Sequence, residues 1–217
     1  LAAEAGLGVM VCDRRFTDLA VEDWSAGGRA LIADFAAHPA AVAALVMDEP
    51  QVEHLPLVRD KVAFLRDQAP GWLPWVNAYG FSRRGGDDFA DYVDRYARII
   101  QPPMLSFDHY PICRMPPASL RGRIYDVEAD CGYEVPELQA YYRDGYWSAW
   151  ETFHAAGRRY DLPLWGFVLA TPHQHTVWSY GPVTEGTIRL EAFTGLAYGA
   201  RAIQYFTLPS MEASGYV

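Results

Sequence analysis

Apolar and polar positions along this chain follow two alternating periods. Short apolar runs closed by turn residues read as buried strands, and longer stretches with apolar residues three and four apart read as helices. Leu7 to Cys12 is the first apolar run, and it stops at Asp13. Arg29 to Ala37 has helical character and leads to His38-Pro39. Ala43 to Met47 is apolar and stops at Asp48-Glu49-Pro50, where the proline removes a further ladder donor. Val52 to Gln68 predicts a helix, and Gly71 to Asn77 a strand interrupted by Pro74. Asp87-Asp88 can cap a helix that carries Phe89, Tyr92, Val93, Tyr96 and Ile100 on one face. Met104 to Phe107 predicts the next strand, ending at Asp108-His109-Tyr110-Pro111. Cys113 to Val135, polar and proline-containing, reads as a long rim loop. Pro136 predicts the opening of a long helix that reaches Arg159. Leu164 to Ala170 reads as a strand, Thr184 to Gly199 as a helix rich in small residues, and Ala202 to Phe206 as the last strand.

Strands and helices taken in turn predict a parallel sheet covered by helices. Six strands with five intervening helices fall short of the eight strands that close a (β/α)8 TIM barrel. The expected fold is therefore an α/β barrel that is incomplete, with strands 3 to 8 present and the acid pair ending the fourth. Residues 1–217 then form a single barrel domain belonging to a longer chain. An open doubly wound sheet is the alternative, but no glycine-rich phosphate loop supports it.

Composition narrows the function more than the fold. Hydrophobic residues make up 51% and charged residues 21%, which fits a packed core and not disorder. Eighteen Lys and Arg against 27 Asp and Glu leave a net charge of −9, which disfavours nucleic acid and anionic membranes as partners. Uncharged ligands such as sugars are unaffected. Cys12, Cys113 and Cys131 are too few and scattered for a disulfide framework or a zinc cluster. No apolar run is long enough to span a bilayer. A periplasmic or secreted location is favoured if a signal peptide precedes Leu1.

A parallel barrel gathers its chemistry at the C-terminal ends of its strands. Those ends supply Asp13, Asp48, Glu49, Asn77, Asp108, His109, Tyr110, Thr171 and His173. Carboxylates are too costly to bury unpaired, so acids closing apolar strands must be satisfied, exposed in a cleft or titrated. The plainer alternative is that some cap the next helix or pair with Arg14, Arg15, Arg83 or Arg84.

Val46-Met47-Asp48-Glu49-Pro50 resembles the acid/base strand of clan A retaining glycoside hydrolases, including family 42 β-galactosidases. Leu196 to Phe206 is similar to the seventh-helix and eighth-strand region of such barrels. Together with Ser106-Phe107-Asp108-His109-Tyr110-Pro111, these motifs look like a group of bacterial glycoside hydrolase-like proteins, over most of the chain. The resemblance implies an enzyme of carbohydrate metabolism and polysaccharide degradation that cleaves an O-glycosidic bond in a neutral glycan. Glu49 would be its general acid/base, assisted by Asp48.

The chain departs from clan A at the seventh strand, where Leu164 to His173 carries no acid in place of the nucleophilic glutamate. Three repairs are open. Asp108 could supply the second carboxylate and is preferred, because it ends a strand and precedes two polar rings. Glu185 could reach back from the seventh helix. Asp48 and Glu49 could instead act with a substrate acetamido group, as in hexosaminidases of families 20 and 123. Asn77, His109, Tyr110, Trp75, Trp165, His173 and His175 are expected to line the sugar subsites, the indoles by stacking and the rest by hydrogen bonding. His173 and His175 also have the spacing of a metal pair, although no metal or other cofactor is expected. A carbohydrate-binding barrel without catalysis is the rival reading. The expected partner is an oligosaccharide or polysaccharide.

Overall fold

The computed structural model describes residues 1–80, 88–114, 131–135, 140–143, 145–174, 179–181 and 183–207. These residues fall into two compact units. One takes in Leu1–Tyr79, the described residues from 88 to Ser106, and Ala156–Pro163; the other takes in the remainder.

In the first unit, β1 (Val9–Val11), β2 (Ala41–Asp48) and β3 (Leu73–Tyr79) are neighbouring parallel strands. Leu105 and Ser106 open β4 (Leu105–Asp108). Ala43, Ala44, Val46 and Met47 of β2 are buried, as is β3 from Pro74 onward. Burial on both faces is why these strands read as continuous apolar runs with no alternation. Pro74 is tolerated because it is the second residue of β3.

The helices of this unit are α1 (Arg14–Thr17), α2 (Trp24–Phe35), α3 (Leu55–Gln68) and α4 (Phe89–Ile100). A short 3-10 turn, Val52–His54, leads into α3. The α4 face expected from its periodicity is buried at Tyr92, Val93, Tyr96 and Ile100, and Asp88 caps the helix by accepting the Ala90 amide. Its partner in the expected cap, Asp87, lies outside the described residues. Helix α2 starts five residues earlier than expected. Gly27-Gly28 weakens any local helix signal, but a Cβ on Gly28 would stand 2.6 Å from Phe64 and 2.9 Å from Phe16. The helix crosses its neighbours at these glycines, so packing overrides propensity. Lys61 is fully buried in α3, and its ammonium donates to the Phe16 carbonyl at 2.5 Å while lying over the Phe16 ring.

In the second unit, β8 (Leu164–Leu169) and β11 (Ala200–Phe206) are parallel neighbours. Together with β1, β2, β3 and β4 they make up the six strands that the apolar runs predict. Most of α5 (Gly145–Tyr160) and all of α6 (Glu185–Ala197) belong here. Close packing against Trp150 of α5 and Ile203 of β11 explains Gly195 of α6. A Cβ on Gly166 of β8 would fall 2.2 Å from the Trp150 ring, and one on Gly195 of α6 would fall 3.2 Å from it.

Two expectations are corrected in this unit. The stretch read as a rim loop contains β5 (Ile112–Arg114) and β6 (Cys131–Val135). The long helix begins at Gly145, not Pro136, and β7 (Ala140–Arg143) occupies part of the segment assigned to it. With β9 (His173–Gln174) and β10 (Ser179–Tyr180) these strands form an antiparallel sheet in the order β6-β7-β5-β10-β9. Strands of two to five residues are held by their cross-strand neighbours, so they leave little local periodicity to read.

Candidate active site

In the first unit three side chains stand in a row: Asp48 at the end of β2, Asn77 in β3 and Ser106 in β4. Asp48 and Asn77 are register partners across β2 and β3. The Asn77 amide donates to Asp48 Oδ1 at 3.2 Å, and its carbonyl oxygen accepts the Ser106 hydroxyl at 3.0 Å. Ser106 and Asn77 are buried, whereas Asp48 is exposed. The chain of bonds therefore runs from the interior outward, and the buried hydroxyl fixes which face of the Asn77 amide meets the carboxylate.

Glu49 follows directly, half-buried, with φ +45. This left-handed backbone is uncommon for a residue with a side chain and costs on the order of 1–3 kcal/mol. Its amide donates to the Asn77 backbone carbonyl at 2.8 Å. Adjacent acids on an extended strand would point to opposite faces. The left-handed turn breaks that alternation at Glu49, so the second carboxylate leaves the strand on a new course.

Asp13 takes the plainer role. It caps α1 by accepting the Arg15 amide and pairs with the Arg15 guanidinium at 2.6 Å, and that hydrogen bonding holds its carboxyl below the usual range. Cys12 is exposed, and its thiol is pushed up by partial burial and then by the charges of Asp13 and Asp48. A raised thiol is a poor nucleophile at neutral pH. Trp75 is buried in β3, two residues before Asn77.

In the second unit Asp108 ends β4 half-buried, and His109 and Tyr110 follow it, both buried. His109 Nδ1 lies 3.0 Å from the Gly80 carbonyl, which can only accept, so Nδ1 carries the proton. A Cβ on Gly80 would stand 2.2 Å from the Asp108 carbonyl, so only glycine permits this approach. The Tyr110 ring meets Tyr180 edge-on at 5.3 Å and stacks on Phe206 at 6.2 Å. Trp165 is half-buried at the second position of β8, at the strand end remote from Thr171. His173 begins β9, and His175 lies outside the described residues. Among the described residues no group of three His, Cys, Asp or Glu gathers as metal ligands.

Two residues escaped the sequence reading. Ser106 could have been found as the single polar residue inside an apolar strand. Glu191 could not. It lies in α6 between Leu190 and Ala192, is 1% exposed, and accepts the Leu169 backbone amide at 2.7 Å. Burial pushes its carboxyl up to about 8. Glu185, the expected alternative on this helix, is exposed and pairs with Arg189 at 2.6 Å.

No family model matches the sequence, and no curated protein matches it in sequence. Among solved structures, a proposed alpha-L-fucosidase from Bacteroides thetaiotaomicron is similar with a TM-score of 0.50 and 8% identity, over 82% of this chain. The chain spans about half of that protein, 52% of its length. An HpcH/HpaI aldolase from Desulfitobacterium hafniense is similar with a TM-score of 0.43 and 12% identity, over 94% of this chain and 67% of that one. At 8% identity the first likeness is one of fold alone: the chain has a TIM-barrel-like α/β fold. A barrel of this kind hosts many chemistries, so the reaction must be argued from the site.

Proposed function

We propose that this chain is the catalytic part of a glycoside hydrolase that cleaves an O-glycosidic bond in a neutral glycan. Its six parallel strands are then the third to eighth of a (β/α)8 barrel. Glu49 is the general acid/base, and Asp48, oriented by Asn77, supports it through charge and hydrogen bonding. Asp108 is the second carboxylate, and Asn77, His109 and Tyr110, with His173 and His175, contribute to sugar recognition. The observation that carries the reading is the backbone of Glu49. It holds a carboxyl side chain in a left-handed conformation at the end of a parallel strand, beside a carboxylate that a buried amide anchors. Strain of this kind concentrates at functional sites.

A second reading, a carbohydrate-binding barrel without catalysis, has one observation in its favour. β8 runs into Ala170-Thr171 with no acid, and the carboxyl bonded at its end, Glu191, is buried. Wild type and Glu49→Gln assayed on a panel of aryl glycosides separate the two. The panel includes an aryl α-L-fucoside, the substrate class named for the Bacteroides thetaiotaomicron protein. Turnover by the wild type that Glu49→Gln loses supports the hydrolase. Sugar binding with no turnover anywhere on the panel supports the binding protein.

A further inference from the structure

The turn that carries Glu49 is held by a side chain from the helix layer. Tyr92 is buried on α4, and its hydroxyl donates to the Pro50 carbonyl at 3.0 Å and accepts the Tyr79 amide at 3.3 Å. Pro50 directly follows Glu49, and Tyr79 is the last residue of β3, two beyond Asn77. On the other side of the acid, the Glu49 amide donates to the Asn77 carbonyl at 2.8 Å. Both flanks of the left-handed residue are therefore tied to β3, one by a backbone bond and one through a single phenol. A left-handed residue with a side chain persists only where its surroundings over-determine it.

We propose that Tyr92 is a positioning residue for Glu49: its hydroxyl fastens Pro50 to the end of β3 and so holds the acid in its left-handed turn. The catalytic meaning of this role rests on the reading of Glu49 as the acid/base. Removing the hydroxyl leaves the ring packing intact, since the Tyr92 ring stacks on Phe89 and meets Tyr79 and Tyr96 through ring contacts. Tyr96, one helical turn on, provides a matched control. Its buried hydroxyl donates to the Val76 carbonyl at 2.9 Å, in mid-strand and not in the acid turn.

The test compares Tyr92→Phe with Tyr96→Phe in two measurements: kcat and KM on an aryl glycoside that the wild type cleaves, and the Cα and Cβ chemical shifts of Glu49 in 13C-glutamate-labelled protein, which report its backbone conformation. Tyr92→Phe is expected to lower kcat about 10- to 100-fold with KM nearly unchanged, and to move the Glu49 shifts away from left-handed values. Tyr96→Phe is expected to do neither. Unmoved Glu49 shifts in Tyr92→Phe, or equal losses of kcat in both variants, would overturn the proposal. Should the wild type cleave nothing, the shifts still decide. Movement in Tyr92→Phe alone upholds the positioning role while the hydrolase reading fails, and no movement removes both.

Discussion

Glu191 accepts the backbone amide of Leu169 at 2.7 Å from within the core of the second unit. The bond favours the carboxylate, but burial disfavours it more, and the carboxyl is pushed up from 4.5 to about 8. The folded state therefore holds a proton that the unfolded state releases. This contribution is present in full below about pH 4.5 and is lost as the pH rises to about 8. The slope has an upper limit of about 1.4 kcal/mol per pH unit. Urea unfolding of wild type and Glu191→Gln at pH 5, 6.5 and 8 checks it. The wild type is expected to lose stability relative to Glu191→Gln as pH rises, since glutamine keeps the acceptor without the titration. Parallel curves would contradict the assignment.

Asn77→Asp is nearly isosteric but puts a second acid 3.2 Å from Asp48, where the two cannot both ionise cheaply. The introduced carboxyl rises above its unfolded value, so the variant is expected to cost about 1–3 kcal/mol at pH 7 and less at pH 4. Denaturant midpoints at the two values measure the difference. An equal cost at both would mean that the amide does not face the carboxylate.

Lys61 tests the helix layer. Its ammonium has lost water, which lowers its pKa, and Asp18 offsets only part of that. What holds it is the bond to the Phe16 carbonyl and the contact with the Phe16 ring. Lys61→Met keeps most of the apolar stem and removes the charged donor, so unfolding free energy is expected to fall by about 1.5–3 kcal/mol. A change within about 0.5 kcal/mol would show that the bond contributes nothing net.

Strands β2, β3 and β4 could be read from the sequence because their physics is local: largely buried apolar runs, each closed by an acid or an amide. The end of β2 at Asp48 was legible for that reason. The antiparallel strands were not, because Ile112–Arg114 and Ala140–Arg143 are defined by partners far along the chain. The early start of α2 was hidden by Gly27-Gly28, which serve close packing at the expense of propensity. Helix α6 misleads in another way. It buries Glu191, Thr194 and Gly195 and exposes Leu190, Phe193 and Leu196, so its apolar positions do not mark its inner face. At the site, the residue types at the strand ends were visible. The left-handed turn of Glu49 and the bonds that hold it were not, because they depend on Asn77, Ser106 and Tyr92 meeting in space.

Whether Glu49 donates the proton is read from the dependence of kcat/KM on the leaving group, for wild type and Glu49→Gln, across aryl glycosides from poor leaving groups to dinitrophenyl. An acid that protonates the departing oxygen matters most when that oxygen leaves badly. Glu49→Gln is expected to lose about 10²- to 10⁴-fold with poor leaving groups, shrinking toward none with dinitrophenyl. A loss of the same size across the series, or no loss at all, would contradict Glu49 as the proton donor.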